Sequence, residues 1–214
     1  MSGPSARVTE RAWFDRPVLE VAADLLGAVL RVVRGDGVVA VRLTEVEAYG
    51  GADDPGSHAF RGRSARNAVM FGEPGHLYVY RHLGLHRCVN VVTGPAGQAS
   101  AVLLRAGQVV EGVDAATARR SAEGVVRREV DLARGPARLA VALGLVLADD
   151  GSDLLGKGIE LAPTRVTGFR SGPRVGVAGP GGDPERFPWR LWVPDDPTVS
   201  AFRPGVRRRR TPDG

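Results

Sequence analysis

The spacing of apolar and polar positions predicts a few helices set among many short strands. Apolar residues at helical spacing over 18–26 lie between Asp15-Arg16-Pro17 and Gly27, which predicts an amphipathic helix. Two further helices are predicted over 114–120 and 136–143, and the second of these begins with proline and is followed by glycine.

The rest of the chain is dominated by strand patterns. Segments 28–33 and 38–49 flank the turn Gly35-Asp36-Gly37 and predict a β-hairpin with a long second strand. Further strands are predicted over 76–80, 88–93, 101–105, 159–163 and 174–178, and a loop over 179–188. Because helices and strands do not alternate regularly, we expect an α+β fold, a single mixed domain with a curved, mainly antiparallel sheet and peripheral helices.

Composition adds limits to this picture. With 214 residues, 43% hydrophobic and 25% charged, the chain fits one globular domain, predicted over 12–205 with flexible tails at 1–11 and 206–214. Cys88 is the single cysteine, which excludes an internal disulfide and a cysteine-based zinc site. The four histidines match no metal-binding spacing, and no nucleotide-binding glycine motif is present, so no metal and no cofactor are expected. The sequence has no apolar run long enough for a membrane helix, so we do not expect a membrane location. We expect the protein to be cytoplasmic.

The charge is unusual in its make-up. The formal net charge is +5, and of the 29 basic residues only Lys157 is a lysine. An excess of arginine favours phosphate-bearing partners, although a GC-rich genome would also produce it. The run 207–210, four arginines, is more typical of a solvated tail than of a phosphate-binding one.

Candidate chemistry begins on the long strand 38–49. Residues of one parity run from Val39 through Leu43 to Glu45, Glu47 and Tyr49, so two carboxylates continue an apolar face. A buried carboxylate needs a cationic or hydrogen-bonding neighbour, or a raised pKa, and is then a candidate general base. Equally, the strand could emerge into solvent at Glu45, leaving both carboxylates on the surface.

Aromatic and basic residues follow in the next part of the chain. His58 and the tyrosine pair Tyr78 and Tyr80 follow Tyr49; each aromatic alone is more typical of a core, but together they suit a pocket for a planar, cationic ring. Segment 81–87 is a basic turn with two leucines. It suits a minor-groove wedge, but from the residues alone a hairpin whose leucines fold back into the core is favoured.

These residues, taken in order, resemble a known family, the monofunctional alkyladenine or 3-methyladenine DNA glycosylases of mammals and bacteria. The resemblance rests on the following segments: Glu47-Ala48-Tyr49, His58, Arg66-Asn67, Met70-Phe71, Gly75-His76-Leu77-Tyr78-Val79-Tyr80, Cys88-Val89-Asn90, 101–106, Gly135-Pro136-Ala137-Arg138-Leu139, Arg174-Val175-Gly176-Val177 and Pro188-Trp189-Arg190. Each segment is weak alone, whereas their order across 16–202 is highly specific.

The resemblance implies an enzyme that binds double-stranded DNA from the minor groove, flips an alkylated or deaminated purine into a pocket and hydrolyses its N-glycosidic bond, leaving an abasic site. It implies that Glu47 activates the attacking water and that Arg105 positions this water and the Glu47 carboxylate. The base-binding residues implied are Tyr49, His58, Tyr80 and Asn90, the last linked to rejection of undamaged guanine.

A protruding hairpin is implied to wedge the DNA, with Leu83 as its tip and Arg81 and Arg87 beside it. Better-known members place a tyrosine at the position of Leu83, so a smaller side chain must do the wedging here. No metal or cofactor is implied, and the enzyme is expected to act as a monomer.

The shortage of lysine bears on the reaction. Glycosylases that also cut the backbone need an amine nucleophile, and Lys157 is the single lysine of the chain. We therefore expect a monofunctional enzyme without lyase activity. Two alternatives remain: a catalytically inactive DNA-binding module on the same fold, and a small-molecule hydrolase or transferase that uses the aromatic pocket.

Overall fold

A computed structural model of the chain describes residues 6–164 and 166–206. The arginine run 207–210 lies outside these residues. Three α-helices occur in the described ranges: α1 (Val18–Leu25), α2 (Val113–Glu123) and α3 (Pro136–Ala142). The strands are β1 (Val29–Arg34), β2 (Gly37–Tyr49), β3 (Leu77–His82), β4 (His86–Val92), β5 (Ala101–Glu111), β6 (Ile159–Ala162), β7 (Arg170–Gly172) and β8 (Arg190–Trp192).

The eight strands form one sheet, in which β3, β4, β5, β2, β1 and β6 are neighbours in that order. Strand β8 pairs with the end of β2 and with β7, and every pairing is antiparallel. The helices lie outside the sheet, so the predicted α+β class with a mainly antiparallel sheet is confirmed.

Most predicted elements occur close to their predicted bounds. The helix α1 buries Val21, Ala22 and Leu25 on one face, as its periodicity requires. Strand β5 runs six residues further than the apolar pattern suggests, to Glu111, because it keeps pairing with the first half of β2. The hairpin strands β3 and β4 extend to His82 and His86, which lengthens the hairpin toward its tip.

The predicted strand over 174–178 is wrong. This segment contains a turn at Val175 and Gly176, and the structure has β7 a few residues earlier. The reason is that its backbone is held by other partners: the Val175 N–H donates to the Glu47 carboxylate, and the Gly176 N–H to the Arg203 carbonyl. The predicted loop over 179–188 contains a short 3-10 helix, Gly179–Gly182.

The predicted domain bounds, 12–205, remain a prediction. Val8 is 7% exposed and its backbone N–H donates to the Leu161 carbonyl at 2.8 Å, so packed structure begins before residue 12. The flexibility predicted for the tails is not tested by this contact.

A bulge in β2 decides which way its side chains point. The pairing of β2 with β5 shifts register between Leu43, Glu45 and Val46. Before the shift, Val39, Val41 and Leu43 belong to the main core, and after it Val46 and Ala48 do. A bulge re-aims the side chains that follow it. The prediction that Glu45 and Glu47 continue the apolar face of β2 is therefore wrong, because these two side chains lie on the face opposite the core.

Candidate active site

A cavity of about 700 Å³ opens on that second face of the sheet. Ligand sites for small molecules are of this size. Six of the residues predicted from the sequence line it: Tyr49, His58, Tyr80, Leu83, Asn90 and Arg105. They come from β2, β3, β4, β5 and two connecting segments, so only the folded sheet brings them together.

Glu47 lies behind this lining and is fully buried. One carboxylate oxygen, Oε2, accepts from the Tyr49 hydroxyl at 2.9 Å and from Arg105 Nη1 at 3.3 Å. The other, Oε1, accepts from the Val175 N–H at 2.6 Å. Three donors, one of them cationic, offset the cost of burying a charge. The alternative in which the strand emerges into solvent is thus excluded.

Arg105 joins Glu47 to the second carboxylate, Glu45. Its Nε donates to Glu45 Oε1 at 2.9 Å, and Arg190 Nε donates to the same oxygen at 2.7 Å. Burial pushes the pKa of Glu45 up, but Arg105, Arg190 and the hydrogen bonds from Ser200 outweigh it and hold the pKa below its usual value. Burial likewise lowers the pKa of Arg105, and the two carboxylates raise it to a net value above normal. Arg105 therefore stays charged.

His58 and two tyrosines form one wall of the cavity. The His58 and Tyr80 ring centroids are 4.5 Å apart at 76°, and Tyr78 stacks on Tyr80 at 5.2 Å. The Tyr78 hydroxyl and His58 Nδ1 are 3.1 Å apart. Burial, with the positive charge of Arg66 and the neighbouring His82, lowers the pKa of His58, which keeps the ring neutral at pH 7. Burial raises the pKa of Tyr78 to about 12, so the phenol stays protonated.

Tyr49 lines the same cavity. In the described part of the chain its ring makes no stacking or edge contact with His58 or Tyr80. Burial and the adjacent Glu47 carboxylate raise the Tyr49 pKa well above its usual value. The Arg174 guanidinium carbon lies 4.5 Å from the Tyr49 ring centroid, and Arg174 does not line the cavity. A cavity of this size, lined by several aromatic rings, has room for a planar ring.

Asn90 is buried at the side of this space. Its Nδ2 donates to the Tyr78 carbonyl at 3.0 Å, which fixes the orientation of the amide within the cavity wall. A polar group fixed in an aromatic site selects among rings by the groups at their edges.

The hairpin between β3 and β4 has its leucines outside the core. Leu83 and Leu85 are each 78% exposed, so the expectation that they fold back into the core is wrong. Leu83 has a φ of 49°, a conformation uncommon for a bulky residue, and lines the mouth of the cavity. Arg81 is exposed beside it, whereas Arg87 is directed toward α2 and pairs with Glu123.

Sequence reasoning missed several residues that hold this site. The alternation of β2 indicates Glu45 but no partner for it, and no pattern in the sequence assigns a role to Asp54 or Ser200. Arg174, Val175 and Arg190 belong to segments that carry the family resemblance, which is the available signal for them. Their contacts depend on segments far apart in the chain, so spacing alone does not reveal them.

No three His, Cys, Asp or Glu side chains come together as a metal site within 6–164 and 166–206. Within the same ranges, no helix is both long enough and apolar enough to cross a membrane. The predicted absence of metal and cofactor stays a prediction.

Comparison with known proteins shows related sequences over most of the chain. A family model described as Methylpurine-DNA glycosylase (MPG) matches residues 12–197. A protein of Streptomyces avermitilis is 50% identical over 219 residues, covering 98% of this chain and 99% of its own. A protein of Leifsonia xyli is 56% identical over 188 residues, covering 86% and 88%. One of Nocardia farcinica is 50% identical over 206 residues, covering 89% and 92%. All three are named "Putative 3-methyladenine DNA glycosylase".

This chain folds as an α+β domain with a buried carboxylate behind an aromatic cavity. Together with the matches above, these features define it as a DNA glycosylase, an enzyme of DNA repair. The chain belongs to the methylpurine-DNA glycosylase family. The alternative of an inactive DNA-binding module has no support from these matches.

Proposed function

We propose that this enzyme binds duplex DNA from the minor groove, flips an alkylated or deaminated purine into the aromatic cavity and hydrolyses its N-glycosidic bond. The observation that carries this proposal is a fully buried carboxylate, Glu47, directly behind an aromatic cavity that Arg105 lines. Bases inside a duplex are out of reach of any active site, and damaged or poorly paired bases cost least to extrude.

The reaction needs one water and no other reactant. The water oxygen forms a bond to C1′ of the sugar and passes a proton to Glu47, while the C1′–N bond breaks and its electron pair leaves with the base. A neutral purine leaves as an anion and takes up this proton, whereas a cationic alkylated purine leaves uncharged and the proton passes to solvent; either way Glu47 returns to a carboxylate. Glu47 Oε1 accepts only the Val175 N–H among its described contacts, and a carboxylate oxygen has two lone pairs, so one of them has no donor. Because Glu47 has no exposed surface, the water must enter between this carboxylate and the cavity lining to donate to it. Arg105 holds Oε2 and lines the cavity, which lets it orient both groups.

The aromatic lining suits the substrates that this reaction favours. Purines alkylated at N3 or N7 are cationic, which makes them good leaving groups and good partners for the faces of Tyr49 and Tyr80. The lowered pKa of His58 matters here, because a neutral imidazole does not repel a cationic base.

The direct test replaces Glu47 by glutamine. We expect Glu47→Gln to slow single-turnover release of 3-methyladenine or hypoxanthine from duplex DNA by about 10² to 10⁴-fold, the range for a positioned general base, while DNA affinity changes little. The exposed Glu20 supplies a matched control, Glu20→Gln. An unchanged release rate in Glu47→Gln would overturn the role of Glu47.

We further propose that the enzyme is monofunctional. Lys157 is exposed and precedes β6, at the opposite edge of the sheet from β3, and does not line the cavity. It is therefore in no position to form a Schiff base with the sugar. Borohydride should trap no covalent protein–DNA adduct, and the abasic strand should stay intact. A trapped adduct that disappears in Lys157→Arg would contradict this.

The remaining expectations concern how the enzyme works in the cell. We propose that it acts as a monomer on DNA in the cytoplasm, as suits an enzyme whose relatives are bacterial. Light scattering of the free protein and of its complex with one duplex tests the stoichiometry, and a 2:1 complex would contradict it.

A further inference from the structure

A second cavity of about 370 Å³ lies on the other side of the hairpin, between it, α2 and the start of α3. Four arginines line it: Arg87, Arg120, Arg134 and Arg138. Within the described chain the lining includes a single carboxylate, Glu123, and this one is engaged by Arg87. Arg134 is paired with Asp131, which lies outside the lining, at 3.6 Å, but neither Arg120 nor Arg138 forms an ion pair within the described residues. The cavity therefore carries two positive charges without a paired carboxylate. We call it the arginine cavity.

Arg120 forms no ion pair among the described residues, in contrast to Arg87 and Arg134. It is 8% exposed, and its buried Nε has no hydrogen-bond partner; the Nε of Arg87, in the same cavity, also has none. Burial lowers the pKa of Arg120, and the like charge of Arg138 lowers it further, against a weaker opposing effect of Glu123. Leaving a buried cation without a partner is costly, and an anion bound in the cavity would remove that cost.

The arginine cavity is adjacent to the cavity of about 700 Å³ described above, which we call the base cavity. Both are lined by His82, Cys88 and Pro136, so one layer of chain separates them. A third opening is lined by Arg105, Arg134, Arg138 and Arg203, with Asp131 among them. Arginine side chains therefore occur from Arg105 to the far side of the hairpin, and Asp131 is paired with one of them, Arg134.

We propose that the arginine cavity binds a phosphodiester of the DNA backbone next to the flipped nucleotide, with Arg120 and Arg138 as its contacts. A DNA strand carries one negative charge about every 3.4 Å of helix axis, so a strand whose base enters the base cavity has phosphates within reach on either side of the hairpin. Guanidinium groups bind such oxygens with two donors each. Holding the backbone there would fix the strand while Leu83 occupies the gap in the base stack.

The test rests on the proposed action on DNA and measures the salt dependence of duplex binding. Arg120→Met keeps most of the packed side chain, and Arg138→Gln changes an exposed residue that cannot disturb the core. Each should weaken duplex binding about tenfold and make the slope of log K against log salt shallower by about 0.9 per lost phosphate contact. The loss should fall on affinity more than on the release rate at saturating enzyme.

Arg127→Met is the matched control. The substitution removes the same charge, and Arg127 is exposed and does not line the arginine cavity. Slopes for Arg120→Met and Arg138→Gln that equal the Arg127→Met slope would overturn the proposal. A second result would also overturn it: inorganic phosphate raises the melting temperature of the wild type but not of Arg120→Met, and it does not compete with duplex DNA. The cavity would then bind a small anion rather than the DNA backbone. A wild type that binds DNA but releases no base would instead contradict the proposed function and leave the slope comparison intact.

Discussion

Arg174 donates to both carboxylate oxygens of Asp54, at 2.5 and 2.6 Å, and neither side chain has any exposed surface. The same guanidinium donates to the carbonyls of Ala48 and Gly181. Gly56 makes the approach possible, because a Cβ there would lie 2.5 Å from Arg174 Nη2. The buried Arg174–Asp54 ion pair and its hydrogen bonds thus connect three segments: the end of β2, the segment leading to His58 and the segment that contains Val175.

This ion pair also affects the electrostatics of the base site. Arg174 stacks on Tyr49, and Asp54 offsets its charge, so the Tyr49 ring remains attractive to a cation on its cavity side. In Asp54→Asn the charge is no longer offset. We expect the ratio of kcat/KM for 7-methylguanine, which is cationic, over hypoxanthine, which is neutral, to fall by about fivefold, the size of a typical cation–π effect.

The ratio is informative because it does not depend on the fraction of folded enzyme. Asp195→Asn, at an exposed position, is the control and should leave the ratio unchanged. Equal losses on both lesions in Asp54→Asn would mean that the pair only supports the loop and does not tune the ring.

Leu83 and Leu85 allow a matched test of the wedge. Both are 78% exposed, but only Leu83 lines the base cavity. We expect Leu83→Ala to reduce excision from a fully paired duplex by about tenfold, and less when the lesion faces a mismatched base, since such a base costs less to flip. Leu85→Ala should show a smaller loss in single-turnover assays on the same substrates. A larger loss in Leu85→Ala would assign the wedge to that residue instead.

Asn90 is expected to reduce the release of undamaged guanine. Its amide is fixed by the Tyr78 carbonyl, so it cannot move aside for an extra exocyclic group on a purine. Asn90→Ala should increase the release of undamaged guanine several-fold while hypoxanthine release changes little, measured as free base after incubation with a guanine-mismatched duplex. No increase in guanine release would remove this role from Asn90.

Glu45 is expected to stabilise the fold in a pH-dependent way. Its pKa is lowered by folding, so its contribution is complete above the unfolded pKa of about 4.3 and is lost as the pH falls through the lower folded value. Glu45→Gln leaves Arg105 and Arg190 without their shared counter-charge. It should lower the free energy of unfolding by about 3 to 5 kcal/mol at pH 7.

Urea unfolding at several pH values checks the sign of this effect. The difference between wild type and Glu45→Gln should shrink as the pH is lowered below about 4.3. A difference that is constant from pH 7 to pH 3 would show that the loss comes from packing rather than from charge.

Local patterns in the sequence predict the order and type of most elements. Helical periodicity, alternating apolar residues and turn glycines act over a few residues, so α1, the β1–β2 hairpin and α3 follow from local pattern. The order of short motifs along the chain also gave the family, because family membership depends on which residues are kept rather than on where they lie.

The tertiary structure decided how those residues are used. The parity of β2 predicted Glu47 on the core side, and the bulge that reverses this depends on the register with β5, which no local pattern encodes. The exposure of Leu83, the Asp54–Arg174 pair and the loss of the predicted strand over 174–178 likewise come from contacts between distant segments. Local sequence sets what each segment prefers, whereas burial and pairing between segments determine which side chains line the cavity.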